Sequence, residues 1–391
     1  MFKKTLAGLA VAGLFSGAAM AADVNVYGVV DLGLMYNHTK SEAGTTADAI
    51  TTTKDDSLTM ESGMNAGSRF GLRGSEDLGN GMTVSFKLEN GFSADSGKLS
   101  HDGRLFGREA SLTLAGAFGQ VSFGRMGGVA SAAGTYDYVF ANGDAFDGFD
   151  NGIGGLVTSS RYDNMITYQT PEFAGMKVLA QYSFKNNTVA DADGKGAEGE
   201  EGKTTTNRYA SLAAVGQYGN LNLVAAYELQ NFRHVSMTDS VVADRGQHND
   251  DQHTFYVGGN YDFGVTKVFA LGQVFQNARE LNGIDALSEE GIDGFGAEIG
   301  AQTPIAGGLL TTAFYYANGD TEKADKSQKQ ESTYYGLAAR YEYSLSKRTT
   351  VYGGAGYSQE EVKVNNRDAA VKDFKLDDKL VQAYVGLKHT F

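Results

Sequence analysis

From residue 82 to residue 89 the chain alternates without a break. Met82, Val84, Phe86 and Leu88 fall on one side of an extended strand, and Thr83, Ser85, Lys87 and Glu89 fall on the other. The same period of two closes the sequence. Val381, Ala383, Val385, Leu387 and His389 share a face with the terminal Phe391, opposite Gln382, Tyr384, Gly386, Lys388 and Thr390. In Ser68-Arg69-Phe70-Gly71-Leu72-Arg73, Phe70 and Leu72 take one face while Arg69 and Arg73 share the other. Each such strand offers one face to an apolar phase and one to water.

Strands of this kind are expected at residues 24–33, 58–74, 82–89, 104–114, 120–124, 161–169, 176–184 and 207–218. Further strands are expected at 221–231, 255–263, 266–276, 292–303, 309–317, 331–343, 349–358 and 381–391. Short turns such as Gly219-Asn220 and residues 304–308 alternate with long polar connections such as 37–57, 93–102 and 186–206. The count is about 16, and an even number returns both chain ends to one side. The pattern predicts an all-β fold, a 16-stranded antiparallel transmembrane β-barrel.

Average composition conceals this class. A hydrophobic content of 41% and a charged content of 20% resemble a soluble protein, and no window after the N-terminus is long and apolar enough for a membrane helix. A membrane barrel keeps its lipid face in every second residue, so averaging misses it. The 52 glycines, 21 tyrosines and 22 phenylalanines against 2 prolines suit continuous ladders with aromatic belts. The absence of cysteine excludes disulfides and thiol chemistry. A net charge of −14, with no dense basic face, speaks against a nucleic-acid partner.

Residues 1–21 read as a secretory signal, with Lys3 and Lys4 ahead of a short apolar run and Ala19-Met20-Ala21 at the cleavage positions. That run is shorter than the ~20 residues of a spanning helix. The mature chain is expected to begin at Ala22, so that residues 22–391 form the barrel and leave the cytoplasm.

One connection stands apart. Residues 126–160, bounded by Arg125 and Arg161, contain no lysine or arginine but carry Asp137, Asp144, Asp147 and Asp150 among glycines and aromatics. Structureless connections of this length inside a regular fold are usually functional. Composition alone allows a surface loop as readily as one folded into the bore, with its carboxylates facing arginines on the wall.

The chain resembles the trimeric general porins of Gram-negative outer membranes, in particular the β-proteobacterial branch. The resemblance rests on Val26-Tyr27-Gly28-Val29-Val30-Asp31, on Ser68-Arg69-Phe70-Gly71-Leu72-Arg73-Gly74-Ser75-Glu76-Asp77-Leu78-Gly79, and on Phe106-Gly107-Arg108. It continues through Phe118-Gly119-Gln120-Val121-Ser122-Phe123-Gly124-Arg125, Arg161 with Asn164, and Tyr168-Gln169-Thr170-Pro171-Glu172-Phe173-Ala174-Gly175. It implies a third loop folded inward, here residues 126–160, and an eyelet lined by Arg69, Arg108 and Arg161, with Arg73 on the same face as Arg69. The acidic side would be Asp137, Asp144, Asp147 and Asp150, and Phe391 would serve as the membrane-insertion signal. Arg108 falls in phase with the apolar Ala110, Leu112 and Leu114, so a bulge or a strand end has to re-aim it, and the adjacent Glu109 weakens a purely basic eyelet.

The implied function is a multi-pass outer-membrane diffusion channel for ions and small hydrophilic solutes. Its implied partners are outer-membrane lipid, lipopolysaccharide and two further copies in a homotrimer, with no cofactor or metal. A barrel acting as an adhesin or structural link through its long loops is the alternative. Residues 197–204 imitate a phosphate loop but lack its opening glycine, and 191–196 begin like a calcium loop but place Lys195 at a ligand position. His234, His248 and His253 have no zinc spacing, and the histidines apart from His389 are expected in loops, unpaired with any serine. No enzyme is expected.

Overall fold

The computed structural model describes residues 24–45, 50–189, 199–232, 250–282, 284–288, 290–368 and 371–391. The expected signal segment, the calcium-like residues 191–196, His234 and His248 lie outside the described residues. In chain order the elements are β1 (Asn25–Thr45), β2 (Thr51–Ser62), β3 (Arg69–Gly79), β4 (Met82–Gly91), β5 (Glu109–Gly116), β6 (Gly119–Gly127) and α1 (Val139–Gly143). There follow β7 (Arg161–Gln169), β8 (Met176–Ser183), β9 (Arg208–Tyr218), β10 (Leu221–Asn231), β11 (Gln252–Asp262), β12 (Lys267–Ala278), β13 (Glu280–Leu281) and β14 (Ile284–Asp285). The last are β15 (Ile292–Ile305), β16 (Gly308–Glu322), β17 (Gln328–Ser344), β18 (Thr349–Asn366) and β19 (Phe374–Thr390).

Each strand pairs antiparallel with its sequence neighbours, apart from the small β13–β14 hairpin, and β19 returns to β1. The ring closes at its last residue, where Phe391 and Gly28 exchange two backbone hydrogen bonds of 3.0 Å. β2 and β3 both pair with β1, through Leu32 opposite Ser62 and Val29 opposite Arg69. They are two halves of one barrel strand broken at residues 63–68, so the 17 strands of the sheet make a closed barrel of 16. Closure leaves no free ring edge, which a membrane-embedded sheet requires.

The period of two sorts side chains as expected. Leu212, Val257, Leu337 and Val385 are exposed on the outside, while Ser211, Tyr256, Arg340 and Gln382 are buried on the inside. Beneath β9 to β17, however, apolar side chains are buried among the polar ones. Val224, Ala226, Leu271 and Phe275 point inward and pack with Val129, Val139, Phe140, Ile153 and Leu156. The core of this barrel therefore lies between its wall and the segment that joins β6 to β7.

Several boundaries differ from the sequence expectations. Residues 37–57, read as a loop, are mostly strand, because β1 and β2 continue pairing up to Ala43 and Thr51. β17 and β18 likewise run to Gln328 and Asn366. Polar side chains suit a ladder that rises above the membrane, so hydropathy gives no sign of where such strands end. Pro304 belongs to β15, beyond Gln302, the last residue of that strand with a partner on β12, so its missing N–H leaves no ladder bond unmade. His38 and His253 lie in β1 and β11 rather than in loops.

Candidate functional site: the bore and the segment between β6 and β7

The segment of residues 128–160 is tied to the strands by a series of polar contacts. The Asn142 carbonyl accepts from Asn260 Nδ2 at 2.7 Å, and the Ala145 carbonyl accepts from Gln302 Nε2 at 2.6 Å. Tyr315 donates to the Asp144 carboxylate at 2.8 Å. Asp150 accepts from Arg340 Nη1 at 2.9 Å and from the Tyr384 hydroxyl. The chain then returns past Tyr334, which accepts from Gly154 N at 3.1 Å, and Tyr256, which donates to the Val157 carbonyl at 3.2 Å. In the order β7-β8-β9-β10-β11-β12-β15-β16-β17, the strand carrying Arg340 stands eight places from β7. In a ring of 16 that is the opposite wall.

Local chemistry makes this path possible. Ala132, Ala133, Asp147, Phe149 and Asn151 all have positive φ, so the backbone bends at every few residues. Asp144 stabilises one bend by accepting from the N–H groups of Phe146, Gly148 and Phe149 at 3.0, 2.8 and 2.8 Å. Asp137 accepts from Phe140 N at 3.1 Å at the start of α1.

The four aspartates thus divide. Asp144 and Asp150 are buried and serve as anchors. Asp147 has an exposed side chain, and partial desolvation of its carboxyl and then the Asp144 charge push it up to about 6. Asp137 is buried, and desolvation and then the Asp147 charge raise it well above the usual carboxylate range.

The basic residues gather on the near wall. Arg108 Nε meets Glu89 Oε1 at 2.6 Å, and Tyr27 donates to the other oxygen of Glu89 at 2.8 Å. Asp163 binds Arg125 at 2.7 Å and Arg104 at 3.0 Å. Arg69 and Arg161 make no ion pair among the described residues; Arg69 donates to the Gly67 carbonyl at 3.1 Å, and Arg161 reaches His101 Nε2 and the Ala132 carbonyl at 3.4 Å each. Both interact electrostatically with Arg108, so Arg69, Arg108 and Arg161 form one group. β5 begins at Glu109, which leaves Arg108 at the strand end and free of the apolar phase that follows. Arg73 stands apart, exposed, over the Tyr27 ring at 4.9 Å, and lines a separate recess with Lys87, Glu109 and Thr135.

Sequence reasoning did not single out Glu89, His101, Arg104, Asp163 or Arg340 as site residues. Glu89 was visible on the polar face of the clearest strand. Burial, and then Arg161, Arg108, Arg125 and Arg104, push the His101 imidazole down to about 4, so it adds no charge near neutral pH.

The Gram-negative porin family matches residues 8–363 of the chain. An outer membrane porin protein of Bordetella pertussis is 30% identical over all of both chains. Outer membrane porin protein 32 of Delftia acidovorans is 31% identical, covering 94% of this chain and 91% of that one. Among solved structures, the anion-selective porin from Comamonas acidovorans matches the fold with a TM-score of 0.61 at 23% identity, over 95% of this chain and 100% of that one. The trimer form of OmpT of Vibrio cholerae gives a TM-score of 0.58 at 17% identity, over 95% of this chain and 100% of that one. The chain belongs to the Gram-negative porin family, whose members are channels and not enzymes, and it is a multi-pass outer-membrane diffusion channel.

Proposed function

We propose that the segment of residues 128–160 is the constriction loop of the channel, folded inward, and that ions and small hydrophilic solutes pass between it and the wall bearing Arg69, Arg108 and Arg161. The observation that carries this reading is the Asp150–Arg340 contact on the wall opposite the segment's origin. A connection fastened there has to cross the bore. It covers the apolar cluster on β9 to β17 and leaves the basic wall facing the gap.

Passage is passive. The gap sets a size limit, and fixed charges weight the ions that pass it. Arg69 and Arg161, free of carboxylate partners among the described residues, face a loop whose Asp147 is its exposed carboxylate among the four. The balance favours anions modestly. Guanidinium suits this wall because it stays charged in a narrow, partly desolvated place. The outer band of Leu, Val, Phe and Tyr meets lipid and lipopolysaccharide, residues 1–21 are removed on export, and three copies assemble as in the trimer form of the Vibrio protein. Phe391, which seals the last strand to Gly28, is the residue read at membrane insertion.

The chain has no cysteine, which makes the test direct. Ala133→Cys places a thiol on an exposed residue of the loop. A bulky thiol reagent is expected to lower single-channel conductance in that variant and not in the parent. Full labelling with unchanged conductance would place the loop outside the conduction path.

A further inference from the structure

The break in the second barrel strand is not a simple bulge. Val30 and Asp31 of β1 stand opposite six residues, 63–68, which is four more than a regular ladder holds. The extra chain turns inward. Asp31 organises it from below: its Oδ2 accepts from the N–H groups of Asn65 and Ala66 at 3.0 and 2.7 Å, and its Oδ1 accepts from the Tyr352 hydroxyl. Ser68 Oγ accepts from Asp31 N at 3.1 Å and is itself bonded to Ser62 Oγ at 3.0 Å. A backbone turn with this many fixed partners is built to hold one shape.

Two of its side chains reach toward the far end of the loop. Met64 is buried and packs with Met35, Tyr352 and Tyr384 on the inner face. Tyr384 donates to Asp150. Asn65 Oδ1 accepts from Lys388 Nζ at 2.6 Å, Lys388 contacts Glu342 at 3.4 Å, and Glu342 accepts from Arg340 Nε at 3.1 Å. Arg340 then binds Asp150. One packed path and one polar path therefore run from the break in the wall to the same aspartate.

We propose that Met64 and Asn65 are positioning residues for the channel: the inward turn at residues 63–68 is a brace that fixes the tip of the constriction loop by holding Tyr384, and Lys388 with Glu342 and Arg340, in place. This rests on the reading of residues 128–160 as the constriction loop. The brace acts on loop position and not on permeating ions, so its loss lets the tip wander while the barrel stays closed.

The experiment uses the full chain carrying Asn151→Cys near the tip and Lys347→Cys on a short turn, each spin-labelled, with the distance distribution measured in Met64→Ala, Asn65→Ala and Met64→Leu backgrounds. A single narrow distance in the parent, kept in Met64→Leu but broadened in both alanine variants together with increased open-channel noise, is the expected result. Asn65→Ala keeps the test open if Met64→Ala does not assemble, since it removes polar contacts and no core volume. An equally narrow distance in parent and both variants would overturn the brace while leaving the constriction loop intact. A parent distance too long for a tip held at the inner wall would overturn the loop reading, and the brace with it.

Discussion

Asp150 and Arg340 meet at 2.9 Å across 190 residues of sequence, both buried, with the Tyr384 hydroxyl on the second carboxylate oxygen and Glu342 on the guanidinium Nε. Removing one partner from a buried pair leaves an uncompensated charge and costs about 3–5 kcal/mol. The β-ladder around the pair is untouched by such a change. Arg340→Ala is therefore expected to leave a folded, heat-modifiable barrel whose single-channel current is larger and noisier than the parent's. Identical current and noise would show that the pair does not hold the loop.

Arg69 and Arg161, proposed to line the gap, make no ion pair among the described residues. A unit charge a few ångströms from a passing ion is worth about 1 kcal/mol even in water-like surroundings, roughly fivefold in relative permeability. Arg69→Ala with Arg161→Ala is expected to shift the reversal potential in a salt gradient toward cations by that order. Arg108→Ala is expected to shift it in the same direction, because it removes a positive charge and leaves Glu89 without its ion-pair partner.

Asp147 adds a pH dependence. Its carboxyl is raised to about 6, so it is ionised above that pH and neutral below it. Lowering the pH from about 8 to about 5 removes a negative charge from the loop and is expected to increase the preference for anions. Asp147→Asn should show the low-pH preference throughout. A parent and variant with the same pH profile would remove Asp147 from the gap.

His101 makes the opposite expectation. Its imidazole is pushed down to about 4, so it is neutral across the range in which Asp147 titrates. His101→Gln is expected to leave reversal potentials unchanged above about pH 5. A shift near pH 6 in this variant would mean that the imidazole does not sit within the arginine group.

How far the sequence spoke depends on the range of the signal. Alternation such as Met82 to Glu89 is local, and it yielded the barrel and its strand number. Strand ends above the membrane were illegible, because polar residues 37–57 satisfy a ladder as well as a loop. The turn at residues 63–68 does leave a trace in the sequence: Gly63, Asn65 and Gly67 are turn residues inside the run 58–74 that alternation predicts as one strand. Asp144 and Asp150 were named for their charge, yet their contacts with Tyr315 and Arg340 lie 171 and 190 residues away, where no spacing rule reaches. That an arginine of β17 would anchor the loop needed the fold itself.

The most direct measurement is single-channel conductance and reversal potential of the purified protein in a planar bilayer under a salt gradient. An open channel with steps in groups of three and a modest anion-preferring potential is the predicted result. A potential that favours cations at neutral pH, or a correctly folded barrel that passes no current, would contradict a gap lined by Arg69, Arg108 and Arg161 beside an inward loop.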